Sequence, residues 1–229
     1  MKRLFIVVEG ETEERFVKSV LYPPFINQEI KIEAQQWITN RKLGTAGGGR
    51  NFDLIANHIG RLISKYKHDK EVYLSVMIDL YAFPKQGNTV YDADVIKLPT
   101  SKQKVELLQK KMADRFQYQN FIPYVQLHEF ETLLLCKPQA LLLFYTDKLK
   151  EVELLKAEIG NKHAEEINET TEGAPSKRII KYFPKYEKQK RTAGVLTAEN
   201  IGLPYLREKC LHFNNWVTKI ENIIAVPNS

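Results

Sequence analysis

Cysteine is scarce in this chain, and the two present, Cys136 and Cys210, make no Cys-x-x-Cys pair. That excludes a zinc ribbon and a disulfide-stapled secreted scaffold. Both thiols sit in apolar surroundings, as expected of core residues in a reducing, cytoplasmic protein. No apolar run approaches the length that spans a bilayer. Lys2 and Arg3 do precede a short apolar stretch, but the acidic Gly10-Glu11-Thr12-Glu13-Glu14 follows at once, so neither a signal peptide nor a membrane anchor is expected. Internal repeats and low-complexity tracts are missing too. The run Gly47-Gly48-Gly49-Arg50 lacks the Gly-Lys-Ser/Thr of a phosphate-binding P-loop, which excludes that ATP motif and leaves a loop near a substrate as the reading.

What is present is one sizeable core's worth of sequence: 229 residues, 43% hydrophobic. A net charge of +6 suits an anionic partner without demanding one. Leu4–Val8 reads as a strand buried on both faces, and it stops on Glu9-Gly10. A helix from Thr12 to about Leu21 follows, with Phe16, Val17, Val20 and Leu21 on one face and Pro23-Pro24 closing it. Ile30–Ile38 alternates as a second strand. A glycine-rich loop, Gly44 to Gly49, leads to a helix marked by Phe52, Ile55, Ile59 and Leu62. Val72–Ile78 is a third strand ending at Asp79. A helix near Lys102–Phe116 precedes a fourth strand, Phe121–Leu127. That strand runs into His128-Glu129-Phe130-Glu131 and an apolar helix through Leu135. The alternation predicts an α/β fold: a mostly parallel four-stranded sheet flanked by helices in residues 1–146. Residues 147–229, helical from Val152 on and broken at Glu172-Gly173-Ala174-Pro175, form a C-terminal helical extension on the same core.

The strand ends carry the chemistry. Glu9 follows strand one, Asp79 ends strand three, and Glu129 and Glu131 follow strand four. Parallel strands of one sheet bring these acids to one edge, the edge where α/β folds place ligands. Glu13 lies one helical turn beyond Glu9 and faces the same point. Clustered carboxylates repel one another unless a cation is bound, and hard oxygen donors favour Mg²⁺ or Mn²⁺. A pair of such ions about 3.5–4 Å apart clamps a phosphodiester during hydrolysis. The alternative is that each acid merely caps a helix.

Val8-Glu9-Gly10 followed by Thr12-Glu13-x-x-Phe16 resembles the opening motif of Toprim domains, the metal-dependent folds of topoisomerases, DnaG primases and overcoming-lysogenization-defect (OLD) nucleases. The Glu9-x-x-x-Glu13 spacing resembles the OLD branch, where both acids bind metal. The chain as a whole is closer to a bacterial Toprim-like group catalogued as domain of unknown function 4276. The features it shares with that group are Asp79-Leu80-Tyr81-x-Phe83-Pro84, His128-Glu129-Phe130-Glu131, Pro175-Ser176-Lys177-Arg178-Ile179 and Cys210-x-His212-Phe213-x-x-Trp216. The resemblance implies a Toprim-like fold and a metal-dependent nuclease using Glu9 and Asp79. It also implies an anti-phage effector working with an ABC-type or AAA ATPase partner. The second acid of the Toprim Asp-x-Asp is Tyr81 here, so Glu129 or Glu131 would have to supply the missing ligand. Asp92-Ala93-Asp94 is a rival acidic pair in a loop. Tyr81 would instead donate to a phosphate or a metal-bound water.

Lys177 matches the late lysine that assists the metal in OLD-type nucleases, by the same resemblance. With Arg178 it opens a helix where backbone amides and cations grip phosphate. Lys181, Lys185, Lys188, Lys190 and Arg191 continue a basic run interleaved with Tyr182, Phe183 and Tyr186, a composition suited to single-stranded nucleic acid, and Arg50 joins Lys181 and Lys185 as a candidate contact to DNA or RNA. His128 reads as a ligand, a base or a capping residue, and His212 and Trp216 as packing. Two functions follow as expectations. One is a Mg²⁺- or Mn²⁺-dependent nuclease. The other is a non-catalytic Toprim-like module that binds nucleotides or a partner through the same edge.

Overall fold

In a computed structural model of the chain, which describes residues 1–37, 51–167 and 173–225, four strands form a single sheet. They are β1 (Lys2–Val8), β2 (Ile30–Gln36), β3 (Val72–Asp79) and β4 (Phe121–Gln126). The order is β2-β1-β3-β4 and every pairing is parallel. Parallel pairing needs long crossovers, and helices supply them. They are α1 (Glu11–Phe16, prolonged by a π turn Val17–Leu21), α2 (Phe52–Tyr66), α3 (Ala93–Lys97) and α4 (Ser101–Phe116).

The period of two along β1 divides its side chains between two cores. Leu4, Ile6 and Val8 join one cluster with Phe16, Tyr124, Phe213 and Trp216. Phe5 and Val7 join the other with Ile55, Val76 and Leu108. The first cluster is closed by C-terminal helices: α5 (Leu149–Ile159), α6 (Pro175–Tyr182), α7 (Tyr186–Gln189), α8 (Val195–Ile201), α9 (Leu203–Lys209) and α10 (Leu211–Ala225). Trp216 stacks on Tyr124 with centroids 4.4 Å apart and donates its indole N–H to Ser75 Oγ at 3.0 Å. His212 Nε2 donates to the Val125 carbonyl at 2.8 Å. Both are packing groups that fasten α10 to the sheet.

Two local expectations change. The apolar stretch after β4 is a 3₁₀ segment, Phe130–Cys136, instead of an α-helix. Pro138 stops it, because the residue before a proline is pushed out of the α region; Lys137 accordingly sits at φ −147°, ψ 72°. The second strand ends at Gln36. Ile38, the Gly44–Gly49 loop, Arg50 and Glu172 lie outside the described residues. No helix among the described residues is long and apolar enough to cross a membrane.

Candidate metal centre

The register pairs Val8 with Met77 and Asp79 with Gln126, so Glu9, Asp79 and the segment after β4 leave the sheet at one edge. Glu13 lies in the first turn of α1 and accepts from the Gly10 amide at 3.1 Å. Asp79 Oδ2 accepts from the Phe130 amide at 3.1 Å. Its other oxygen, Oδ1, is buried with no hydrogen-bond partner among the described residues. A buried carboxylate oxygen with no donor carries the full desolvation cost of that group.

The charges press on one another. Burial, with Glu13 nearby, pushes the Glu9 carboxyl up to about 7. Burial also raises Glu13 against the pull of its backbone donors, and Glu131 adds to the rise. For Asp79 burial comes first, then Glu13 and Glu131, and it stands well above the usual carboxylate range. Glu131 is raised by burial and restrained by Lys190, whose Nζ lies 3.3 Å from Oε1. The Tyr186 hydroxyl donates to the same oxygen at 3.3 Å. Glu129 also acts on Asp79, and its Oε2 accepts from the Ser176 amide at 2.9 Å. Among the described residues, no three acid, histidine or cysteine side chains are already gathered closely enough to hold a metal ion.

Tyr81 and His128 flank this group. His128 is buried at φ +61°, a left-handed conformation rare for histidine, and its Nε2 lies 3.0 Å from the Glu165 carbonyl oxygen. That contact assigns the proton to Nε2 and leaves Nδ1 to accept from the Tyr81 hydroxyl at 3.2 Å. Burial lowers His128, which keeps the neutral ring, and burial with Glu129 raises the Tyr81 phenol to about 12. The Glu165 carboxylate in turn accepts the first amides of α10, from His212 at 2.9 Å and Phe213 at 3.0 Å. His128 is therefore a neutral pin between the two strand ends and the C-terminal helices.

The basic residues divide differently from expectation. Arg178 is buried and spent internally: it donates to the Gly173 carbonyl and to Glu158 Oε1, at 2.8 and 2.9 Å. Lys181 and the Tyr182 hydroxyl donate to Glu158 Oε2 at 2.6 and 2.7 Å. Phe183 and Tyr186 are core residues, which leaves Tyr182, half-buried and tied to Glu158 through its hydroxyl, as the one aromatic of the three outside the core. Lys177 is exposed, next to the Ser176 amide that holds Glu129, and Lys185 is exposed at the start of α7. Asp92 caps α3, and both it and Asp94 pair with Lys111, so that acidic pair has a structural role of its own. What the sequence reading missed is the role of Lys190 and Tyr186 as partners of Glu131. Both sit in the basic-aromatic run, and nothing in its local pattern marks Glu131 as their partner.

No curated protein and no solved structure matches the chain. Residues 8–221 match a family described as a domain of unknown function, DUF4276, and with nearly its whole length covered the chain belongs to that family.

Proposed function

We propose that the chain is a divalent-metal-dependent nuclease, acting on DNA or RNA, with its site at the C-terminal edge of the sheet. The observation that carries the reading is Asp79: a carboxylate with one buried oxygen lacking any donor, surrounded by Glu13, Glu131 and Glu129. Repulsion of this kind persists in a fold when an external cation relieves it. The donors are all oxygen and suit Mg²⁺ or Mn²⁺. Glu9, Glu13, Asp79, Glu129 and Glu131 would hold the ion, with rotamer changes needed to close them on it. A bound ion would supply an activated water and neutralise charge on the phosphate.

The chain's own groups do the rest. Lys190 balances Glu131 and holds it at the edge. Tyr81 stands beside Glu129 with its hydroxyl given to His128 Nδ1, so it would reach a phosphate oxygen only by leaving that bond. Lys177, exposed at the start of α6 next to the Ser176 amide that holds Glu129, is the cation offered to the phosphate. A cytoplasmic anti-phage effector working with an ABC-type or AAA ATPase is the setting that the OLD resemblance suggests. A second reading is a non-catalytic nucleotide- or partner-binding module, and it is favoured by one fact: among the described residues, no three donors are pre-gathered for a metal. Incubating the purified chain with DNA and RNA panels, with Mg²⁺, Mn²⁺ or chelator, separates them. Metal-dependent cleavage lost in Glu9→Ala and Asp79→Ala supports the nuclease. Mn²⁺ affinity unchanged in both variants, by calorimetry, removes it.

A further inference from the structure

Cys136 and Cys210 are far apart in sequence, yet the fold brings their segments together. Cys136 and Lys209, the residue before Cys210, line one cavity with Tyr205. The Cys136 thiol donates to the Leu133 carbonyl at 3.0 Å, and Cys136 lies close enough to raise the Cys210 thiol. Lys137, the residue after Cys136, places its Nζ 5.2 Å from the Tyr205 ring centroid in α9. The 3₁₀ segment that ends at Cys136 therefore packs along the end of the helix that leads into Cys210.

The two thiols differ in access. Cys210 is fully buried. Cys136 is partly exposed and lines a cavity of about 550 Å³ with Lys156, His163, Tyr205 and Lys209. A small oxidant entering that cavity meets Cys136 first, with Cys210 behind it.

We propose that Cys136 and Cys210 are a redox-modification site, in which hydrogen peroxide converts the thiol pair to an intramolecular disulfide that a dithiol reverses. Cys136 sulfur attacks a peroxide oxygen; the O–O bond breaks, water leaves after taking up the thiol proton, and a sulfenic acid remains. Cys210 sulfur then attacks the sulfenic sulfur; the S–O bond breaks, and the hydroxyl leaves as water with the Cys210 proton. Two thiols lose two hydrogens and peroxide is reduced to two waters. The roles follow from access: Cys136 faces the cavity and meets the oxidant, and the buried Cys210 gives up its proton as it resolves the sulfenic acid. The consequence reaches the acidic edge. The segment closed by this bond begins at Phe130, the amide donor of Asp79, and includes Glu131. Oxidation would tie it to the start of α10.

The test uses the full chain, native and reduced, treated with hydrogen peroxide and separately with diamide. The expected product is a monomer lighter by two hydrogens with no titratable thiol, restored to two thiols by dithiothreitol. Cys136→Ser and Cys210→Ala should each abolish the mass loss, the first variant changing only a partly exposed position. Slower amide exchange across Phe130–Cys136 in the oxidised form is expected. Two thiols surviving both oxidants, oxygen adducts accumulating on Cys136 with Cys210 still free, or disulfide-linked dimers in place of the monomer would each overturn the proposal.

Discussion

Glu158 and Asp79 are both partly buried carboxylates, and the fold treats them in opposite ways. Glu158 takes donors from Arg178, Lys181 and Tyr182, all three supplied by α6. Desolvation pushes it up, but Lys181, Tyr182 and Arg178 together bring it below its ordinary value. Asp79 takes one backbone amide, keeps one oxygen without a donor, and is pushed up by burial and three neighbouring acids. The chain completes the first carboxylate by itself and leaves the second incomplete. A group that stabilises the fold is satisfied from within, whereas the deficit at Asp79 is what the proposed metal site rests on.

The largest expected effect lies on the Asp79 side. Asp79→Ala should reduce metal-dependent cleavage to background, and Lys177→Ala should slow it about 10²–10³-fold, the scale of removing one transition-state donor. Circular dichroism should show both variants folded. Wild-type rates in either would break the assignment of roles.

Next comes stability, where the two carboxylates should respond with opposite sign. Glu158→Ala strands the buried Arg178 guanidinium and should cost about 3 kcal/mol in urea unfolding. Asp79→Asn, measured without metal, should raise the melting temperature, because a neutral amide relieves the repulsion. If both variants lose stability equally, the contrast between a satisfied and an incomplete carboxylate disappears.

The pH response sharpens the same point. Glu9 rises from 4.5 to about 7 on folding. A raised acid contributes stability that is complete below about pH 4.5 and is lost as the pH climbs through about 7. In chelator the melting temperature should therefore fall between pH 5 and 8. Saturating Mn²⁺ should flatten or reverse that fall, since metal takes the deprotonated form. A metal-free curve that rises over this range would contradict the shared burial of Glu9 and Glu13.

The smallest effect belongs to Tyr81→Phe, which removes one hydrogen bond to His128 Nδ1. It should cost about 1 kcal/mol, read as a shift in the unfolding midpoint. A loss several times larger would mean that the phenol, and not the Glu165 carbonyl, holds the histidine pin in place.

Much of the scaffold is legible in the chain itself. Leu4–Val8 and Val72–Ile78 are apolar runs because parallel strands covered on both faces need apolar side chains in both directions. The acids that end or follow them are then carried to one edge by topology alone, which is why Glu9 and Asp79 could be selected from sequence. The basic residues were not legible in this way. A lysine or arginine has a long, flexible stem, and its role depends on which acid the fold brings within reach. Thus Arg178 and Lys181 are bound to Glu158, while Lys190, unremarkable in its run, meets Glu131.

Hydrophobic periodicity, read along the sequence, determined the strands, the helices that cross between them and the edge where the carboxylates gather, because those patterns act over a few residues. Only the tertiary structure decided which carboxylates are satisfied, that His128 is a neutral pin, that Phe183 and Tyr186 are core residues, and that Cys136 shares a cavity with Lys209, the residue before Cys210. Those outcomes depend on contacts between segments distant in sequence, and on the dielectric that burial creates, neither of which has a local signature.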